Sequence, residues 1–247
     1  MPDTDWLTAM PIAHRGLHDE RIPENSIPAF RAAIDAGYAI ELDVRITDDG
    51  VPIVFHDRQM SPRAEPLRHM SYTKIREFGI PNSEHAIPRL ADVLEVIDGQ
   101  VPVLLDLKNR SMDIGSLESA VARRLIGYKG PFAVQSFNPL TVGYFRNHHP
   151  SWPRGQVAEK FRGTPRIAAW RTALVRRLAF SAWNRPNFVA YRGSDLPYWP
   201  FVLHRTAGIP VLAWTIRSAR EADGVSAHSD NVIFEHFEPS IPGYPER

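Results

Sequence analysis

The chain has 247 residues, 43% hydrophobic and 23% charged, an ordinary balance for a globular domain and close to the ~250 residues of one (β/α)₈ barrel. No apolar run approaches the ~20 residues that cross a bilayer, residues 1–10 lack the basic start and apolar centre of a secretory leader, and the absence of cysteine excludes disulfides, thiolate nucleophiles and zinc–sulfur sites. The net charge is only +1, yet residues 154–192 carry nine Lys/Arg against one acid, Glu159, which leaves −7 on the rest. The expectation is one domain over residues 1–247, located in the cytoplasm.

Pro11-Ile12-Ala13 is a short apolar run that ends in His14-Arg15-Gly16, and Pro23-Glu24-Asn25-Ser26 opens a helical pattern through Phe30, Ala33 and Ile34. Residues 39–58 then alternate as two runs about Asp49-Gly50. That dipeptide favours a two-residue turn, which sets Asp43 opposite His56 and Glu41 opposite Arg58. Strand alternation places Glu41, Asp43 and His56 on one face, with opposed Cβ atoms about 4.5–5.5 Å apart. Two carboxylates and an imidazole at that separation can hold a divalent cation beside an acid/base group. From His56 to Leu90 the pattern is an irregular excursion with one helical stretch near Tyr72–Phe78. Val103–Lys108 reads as a strand with Asp106 and Lys108 on one face.

Further apolar runs centre on Phe132, Gln156, Phe188, Val211 and Val232, and with those at Ile12, Ile40 and Val103 they make eight. Helical patterns separate them. The alternation predicts an α/β chain of parallel strands joined by crossover helices, a (β/α)₈ TIM barrel with a short β-hairpin and excursion after the second strand. An open doubly wound sheet is the fallback, although no Gly-rich phosphate loop follows the first strand. Thr164-Pro165 opens a helix with Ile167, Trp170, Leu174 and Leu178 on one face. It reads as an outer barrel helix. Arg171, Arg176 and Arg177 beside Trp170 and Trp183 make weak contact with an anionic membrane surface, across residues 164–185, the alternative. A nucleic-acid partner has only this basic segment in its favour and is not expected. Oligomeric state is not encoded in any pattern found.

His14-Arg15-Gly16, Pro23-Glu24-Asn25-Ser26, Ala29-Phe30, Glu41-Leu42-Asp43-Val44, Thr47-Asp48-Asp49-Gly50 and His56-Asp57 together closely resemble the signature of the glycerophosphodiester phosphodiesterase family. Weaker matches continue through Ile87-Pro88-Arg89-Leu90 to Lys108 and at Ala213-Trp214-Thr215. The resemblance implies the barrel fold and metal-dependent hydrolysis of a glycerophosphodiester to glycerol 3-phosphate and an alcohol. It implies Glu41, Asp43 and Asp106 as ligands of a divalent cation, for which an all-oxygen set suits Mg²⁺ or Ca²⁺. Arg15 and Lys108 would hold the phosphate of a small-molecule diester, and His14 and His56 would share the general acid and base roles. Rival readings are a phospholipase D-like enzyme on lysophospholipids, an enzyme for a specialised sugar phosphodiester, and a binding protein that senses glycerophosphodiesters without cleaving them.

The chain departs from the family pattern at several points. Asp106 stands where the family normally has Glu, a shortfall of about 1.5 Å from one C–C bond, so the cation must move, a strand must shift or water must bridge. Met60-Ser61-Pro62-Arg63 replaces an Arg-Thr-Thr-Gly-like run, Arg217 replaces a common asparagine, and Glu235-His236 replaces Thr-Asp. Trp214 with Glu159 or Glu235 offers cation–π and ionic attraction for a cationic alcohol such as choline or ethanolamine.

Overall fold

The computed structural model describes residues 4–61, 63–160, 181–197 and 204–241. The strands are β1 (Ile12–Ala13), β2 (Ala39–Ile46), β3 (Pro52–Val54), β4 (Val103–Leu107), β5 (Phe132–Ser136), β6 (Arg154–Ala158), β7 (Phe188–Arg192), β8 (Val211–Ile216) and β9 (Asn231–Phe234). Their hydrogen-bonded order is β1-β9-β8-β7-β6-β5-β4-β2-β3, and β1 also pairs with β2, so eight strands close on themselves and β3 lies outside the ring. The pairings of β2 with β4 and of β6 through β9 are parallel, whereas β3 runs antiparallel to β2. This is the (β/α)₈ barrel, and each of the eight apolar runs falls on one of its strands.

Residues 13–132 form one compact unit, and residues 1–12 with 133–247 form another. In the first, Ile40, Leu42 and Val44 of β2 stand beside Val103, Leu105 and Leu107 of β4, all buried. Helix α2 (Ile27–Ala36) and the helix Ser116–Leu125 pack against β2. The opposite face carries Glu41 and Asp43 beside Leu104 and Asp106 in the same register. Strands buried on both faces are usually continuous apolar runs, so the carboxylates are the exceptions that ask for a function. Helix α2 starts where Ser26 Oγ accepts a hydrogen bond from Ala29 N and a proline occupies the first turn, a cap worth about 1 kcal/mol.

The hairpin corrects one expectation. Val44 lies opposite Val54 and Arg45 opposite Ile53, and Phe55 N donates to Asp43 O. Asp43 therefore faces Phe55 instead of His56, and the pairing is one residue out of the predicted register. The cause is the loop. Thr47 N bonds Val51 O, Thr47 Oγ1 donates to Asp49 Oδ1 at 2.5 Å and accepts from Val51 N at 2.9 Å, and Gly50 takes a left-handed φ of 74°. That makes Asp48-Asp49-Gly50 a three-residue connection of the kind that ends in a left-handed residue. Phe55 then joins Ile53, Leu67, Met70, Ile75, Ile80 and Ile87 in a small core of its own beneath the excursion, where α3 (Tyr72–Phe78) forms over the expected residues.

In the other unit, Asn231 Nδ2 donates to the carbonyls of Leu7 and Met10 at 2.8 and 2.6 Å and ties the first helix, α1 (Trp6–Ala9), to β9. Asn184 Nδ2 donates to Gln156 Oε1 at 2.8 Å, joining a short helix, Ser181–Asn184, to β6. Most of the helix expected over Thr164–Trp183 lies outside the described residues. Trp183 itself packs against Gly143 of helix Pro139–His148, where any Cβ would sit 2.2 Å from the indole. Among the described residues, no helix is long and apolar enough to cross a membrane.

Candidate active site

The site residues of the unit 13–132 come from four places in the chain. His14 and Arg15 directly follow β1, Glu41 and Asp43 lie on β2, His56 follows β3, and Asp106 and Lys108 lie at the end of β4. Residues at the C-terminal ends of parallel strands are where this fold places chemistry. Glu41, Asp43 and Asp106 are buried, and each offers a carboxylate oxygen within 4.8 Å of the others. Asp43 and Asp106 are direct neighbours across the parallel β2–β4 pair, so the shorter side chain at position 106 still reaches the cluster.

Two fixed cations enter this cluster. Lys108 Nζ lies 2.7 Å from Asp43 Oδ1 and 2.5 Å from Asp106 Oδ2. Arg15 Nη1 donates to Glu24 Oε2 at 2.6 Å, and its Nε lies 3.1 Å from Asp43 Oδ2. Arg15 takes a left-handed φ of 58°, which is uncommon outside glycine, and its N–H donates to Glu41 Oε2 at 3.0 Å. Gly16 follows with φ 80°, and a Cβ there would sit 2.8 Å from the carbonyl carbon of Ala29 in α2. Only glycine lets the His-Arg-Gly turn lie this close to the helix.

Glu24 and Asn25 are site residues whose roles the sequence reading missed. Asn25 is 1% exposed; its Nδ2 donates to Asp43 Oδ2 at 2.9 Å, and its Oδ1 accepts from Asp43 N at 3.2 Å. The Pro-Glu-Asn-Ser run thus fixes Asp43, positions Arg15 and caps α2 in consecutive residues. Arg45 is a third such residue. Its Nε donates to the His56 carbonyl at 2.9 Å and a second guanidinium nitrogen donates to the same oxygen, which anchors the chain where it leaves β3. Burial pushes the Arg45 guanidinium down to about 10, against the pull of Asp43.

The electrostatics follow from burial. Burial drives the Glu41 carboxyl well above the usual carboxylate range, and Asp43 and Asp106 add to the effect. Asp106 is raised by burial and by Asp43. Asp43 goes the other way: burial opposes its charge, but Lys108 and Arg15, with His56 and His14, outweigh that and hold it far below the usual range. Lys108 is held charged by Asp106, Asp43 and Glu41 in spite of its burial.

The charge balance bears on a metal. With all four carboxylates ionised, Glu24, Glu41, Asp43 and Asp106 face Arg15 and Lys108, a net −2, which one divalent ion cancels. Asp106 Oδ1 is buried with no hydrogen-bond partner, and the donor set is all oxygen, as hard divalent cations require. These residues fit a divalent cation.

Both histidines lie at the edge of this cluster. His14 Nε2 is 4.0 Å from Glu41 Oε2. His56 lies past the last paired residue of β3 and so escapes strand alternation; its imidazole stabilises the charges of Asp43 and Asp106. His56 Nδ1 is 2.9 Å from Asp57 Oδ1, a carboxylate that orients the ring.

Trp214, Glu159 and Glu235 belong to the other unit. There Arg192 forms an ion pair with Glu159 and lies over the Trp214 ring, 5.4 Å from its centroid. The same indole meets Phe137 edge-on at 5.5 Å. Arg217 Nε lies 2.7 Å from Glu235 Oε1, and His236 Nε2 lies 3.6 Å from the same oxygen. Each of these three side chains thus lies against one of the chain's own arginines.

Comparison with known proteins agrees with this geometry. Residues 14–236 match the model of the glycerophosphoryl diester phosphodiesterase family. A Mycobacterium tuberculosis protein named "Probable glycerophosphodiester phosphodiesterase 2" is 34% identical over 104 residues, which are 40% of this chain and 39% of that relative. Glycerophosphodiester phosphodiesterase 1 of Bos taurus is 25% identical over 252 residues, covering 88% of this chain and 74% of the relative. Among solved structures, an Oleispira antarctica phosphodiesterase in complex with the product sn-glycerol-3-phosphate superposes with a TM-score of 0.75 at 21% identity, covering 93% of this chain and 94% of that one. The family pattern spans both histidines, the acidic cluster and both phosphate-binding candidates, and the chain belongs to the glycerophosphoryl diester phosphodiesterase family of phosphoric diester hydrolases.

Proposed function

We propose that the chain hydrolyses a glycerophosphodiester to glycerol 3-phosphate and an alcohol, with Glu41, Asp43 and Asp106 holding a divalent cation, Mg²⁺ or Ca²⁺. The observation that carries this reading is the meeting of three buried carboxylates with Lys108 and Arg15, with His14 and His56 at the same cluster. When bound, such an ion withdraws charge from the non-bridging phosphate oxygens. Arg15 presents a planar fork that can give two hydrogen bonds to a phosphate, and Lys108 adds a point charge. One imidazole takes the proton of the attacking oxygen as the new P–O bond forms. The other gives its proton to the alcohol oxygen as the old P–O bond breaks. Where the attacking oxygen is the substrate's own glycerol hydroxyl, the cyclic phosphate so made is opened in a second step by water, which gives its proton to an imidazole while the ring P–O bond breaks and its oxygen is protonated. His56, 37% exposed at its side chain and paired with Asp57, can return its proton to solvent between turnovers. The Oleispira antarctica relative, bound to sn-glycerol-3-phosphate, supports a glycerol phosphate as the retained product.

The test is turnover of a glycerophosphodiester by His14→Ala and His56→Ala. Each loses an acid/base group, for which a fall of ~10²–10⁴-fold is expected, with the fold checked by circular dichroism. Full activity in either folded variant contradicts the assignment.

A further inference from the structure

A cavity of about 670 Å³ opens beside Lys108, within the unit of residues 13–132. Its size suits a small polar head group. The wall is basic: Arg45 from β2, Arg58 and Arg68 from the excursion, and Lys108 and Arg110 from the end of β4 and the loop beyond it. Asp48 and Asp113 are the acids on the same wall, so the lining carries a net +3.

Pairing separates these arginines from Arg15. Arg15 is bound to Asp43 and Glu24. Arg45 gives its hydrogen bonds to the His56 carbonyl, and among the described residues Arg45, Arg58, Arg68 and Arg110 have no carboxylate partner. Arg58, Arg68 and Arg110 are exposed. Gathering guanidinium groups around one cavity whose two acids leave the lining at net +3 costs repulsion, and an anion relieves it through bidentate, charge-assisted hydrogen bonds. The diester's own single charge does not account for them, because Arg15, Lys108 and the carboxylate cluster already provide for that phosphate.

We infer that this cavity is a second anion subsite, which takes a phosphate or carboxylate carried on the alcohol part of the substrate, so that the enzyme selects diesters whose alcohol is itself anionic. The inference rests on the phosphodiesterase reading. Lys108 makes the connection: it touches both Asp43 and Asp106 and also lines the cavity. A diester with its reacting phosphate at Lys108 would direct its alcohol portion toward the arginines.

The experiment compares three diesters of glycerol 3-phosphate that differ in the alcohol: glycerol, glycerate, and glycerol bearing a terminal phosphate monoester. Loss of the diester resonance in ³¹P NMR gives kcat/KM for wild type and for an Arg68→Ala/Arg110→Ala double variant. One added charge-assisted contact predicts a preference of about tenfold or more for an anionic alcohol over glycerol in wild type, and a ratio near one in the double variant. A preference for only one of the two anionic substrates still supports the subsite and names its oxyanion. Equal turnover of all three by active wild type overturns the inference, as does a preference that survives the double substitution. Failure to hydrolyse any of the three counts against the phosphodiesterase reading instead. The subsite is then decided by titrating inorganic phosphate calorimetrically into the same two proteins: weaker binding by the double variant supports it, and equal affinity overturns it.

Discussion

Lys108→Met should uncouple the stability of the site from its chemistry. Methionine keeps a flexible apolar stem of similar length and removes the ammonium that lies 2.7 Å from Asp43 and 2.5 Å from Asp106. Three buried carboxylates then face Arg15 alone. Breaking a buried ion pair by deleting one partner costs about 3–5 kcal/mol. For a protein near 250 residues, 1 kcal/mol moves Tm by about 2–4 °C, so the chelator-treated variant should melt roughly 6–20 °C below wild type. A divalent cation replaces the lost charge; at a hundredfold excess over Kd it contributes about 2.7 kcal/mol, enough to recover much of the loss. Turnover should stay low with or without the cation, because Lys108 is also assigned to the phosphate. Thermal scans by circular dichroism in chelator and in excess Mg²⁺, beside a diester assay, separate the two effects. An equal fall in Tm in both media would show that Lys108 acts through packing, and no fall at all would show that the carboxylates do not depend on its charge.

Gly16→Ala should destabilise the protein by about 2–5 kcal/mol, the sum of a left-handed backbone penalty and a steric clash, since its Cβ would meet the Ala29 backbone at 2.8 Å. Chemical denaturation measures this, and a loss under 1 kcal/mol would remove the close-approach argument. The stabilisation given by a divalent cation should also grow with pH. Glu41 and Asp106 have carboxyls raised in the folded, ion-free protein. They hold protons that the unfolded chain has already lost, so their contribution is fully present below the ordinary carboxylate range and fades as pH rises through the raised values. Asp43, held low, contributes the opposite way and is lost only on strong acidification. Protons therefore compete with the cation for Glu41 and Asp106, and the rise in Tm on adding Mg²⁺ should be larger at pH 8 than at pH 5. A rise that is the same at both contradicts the competition.

The strands were legible because each is a short apolar run between helical patterns, and the chemistry was legible because Glu41-Leu42-Asp43 and Asp106-Leu107-Lys108 put polar side chains where such strands are otherwise apolar. The hairpin register was not, because Asp49-Gly50 suits both a two-residue turn and the last two positions of a three-residue loop. The Thr47 hydroxyl and the left-handed Gly50 decide between them. Asn25 could be read as part of a helix entry, but its clamp on Asp43 spans 18 residues and needs the fold. The sequence alone gives Trp214 no neighbour. Its ring is covered by Arg192, a neighbour only through the β7–β8 pairing, which sets Arg192 beside Trp214. The arginines of the cavity, spread from position 45 to position 110, share no motif or period and come together only in three dimensions.

The proposed role of Glu41, Asp43 and Asp106 is to hold a divalent cation required for cleavage of a glycerophosphodiester. It is tested most directly by following a glycerophosphodiester by ³¹P NMR with enzyme that has been stripped with chelator and then given back Mg²⁺ or Ca²⁺. Wild type should lose turnover on stripping and regain it with the cation, releasing glycerol 3-phosphate, and Asp43→Asn should regain none. Undiminished hydrolysis by the stripped enzyme, or full rescue of Asp43→Asn, would contradict that role.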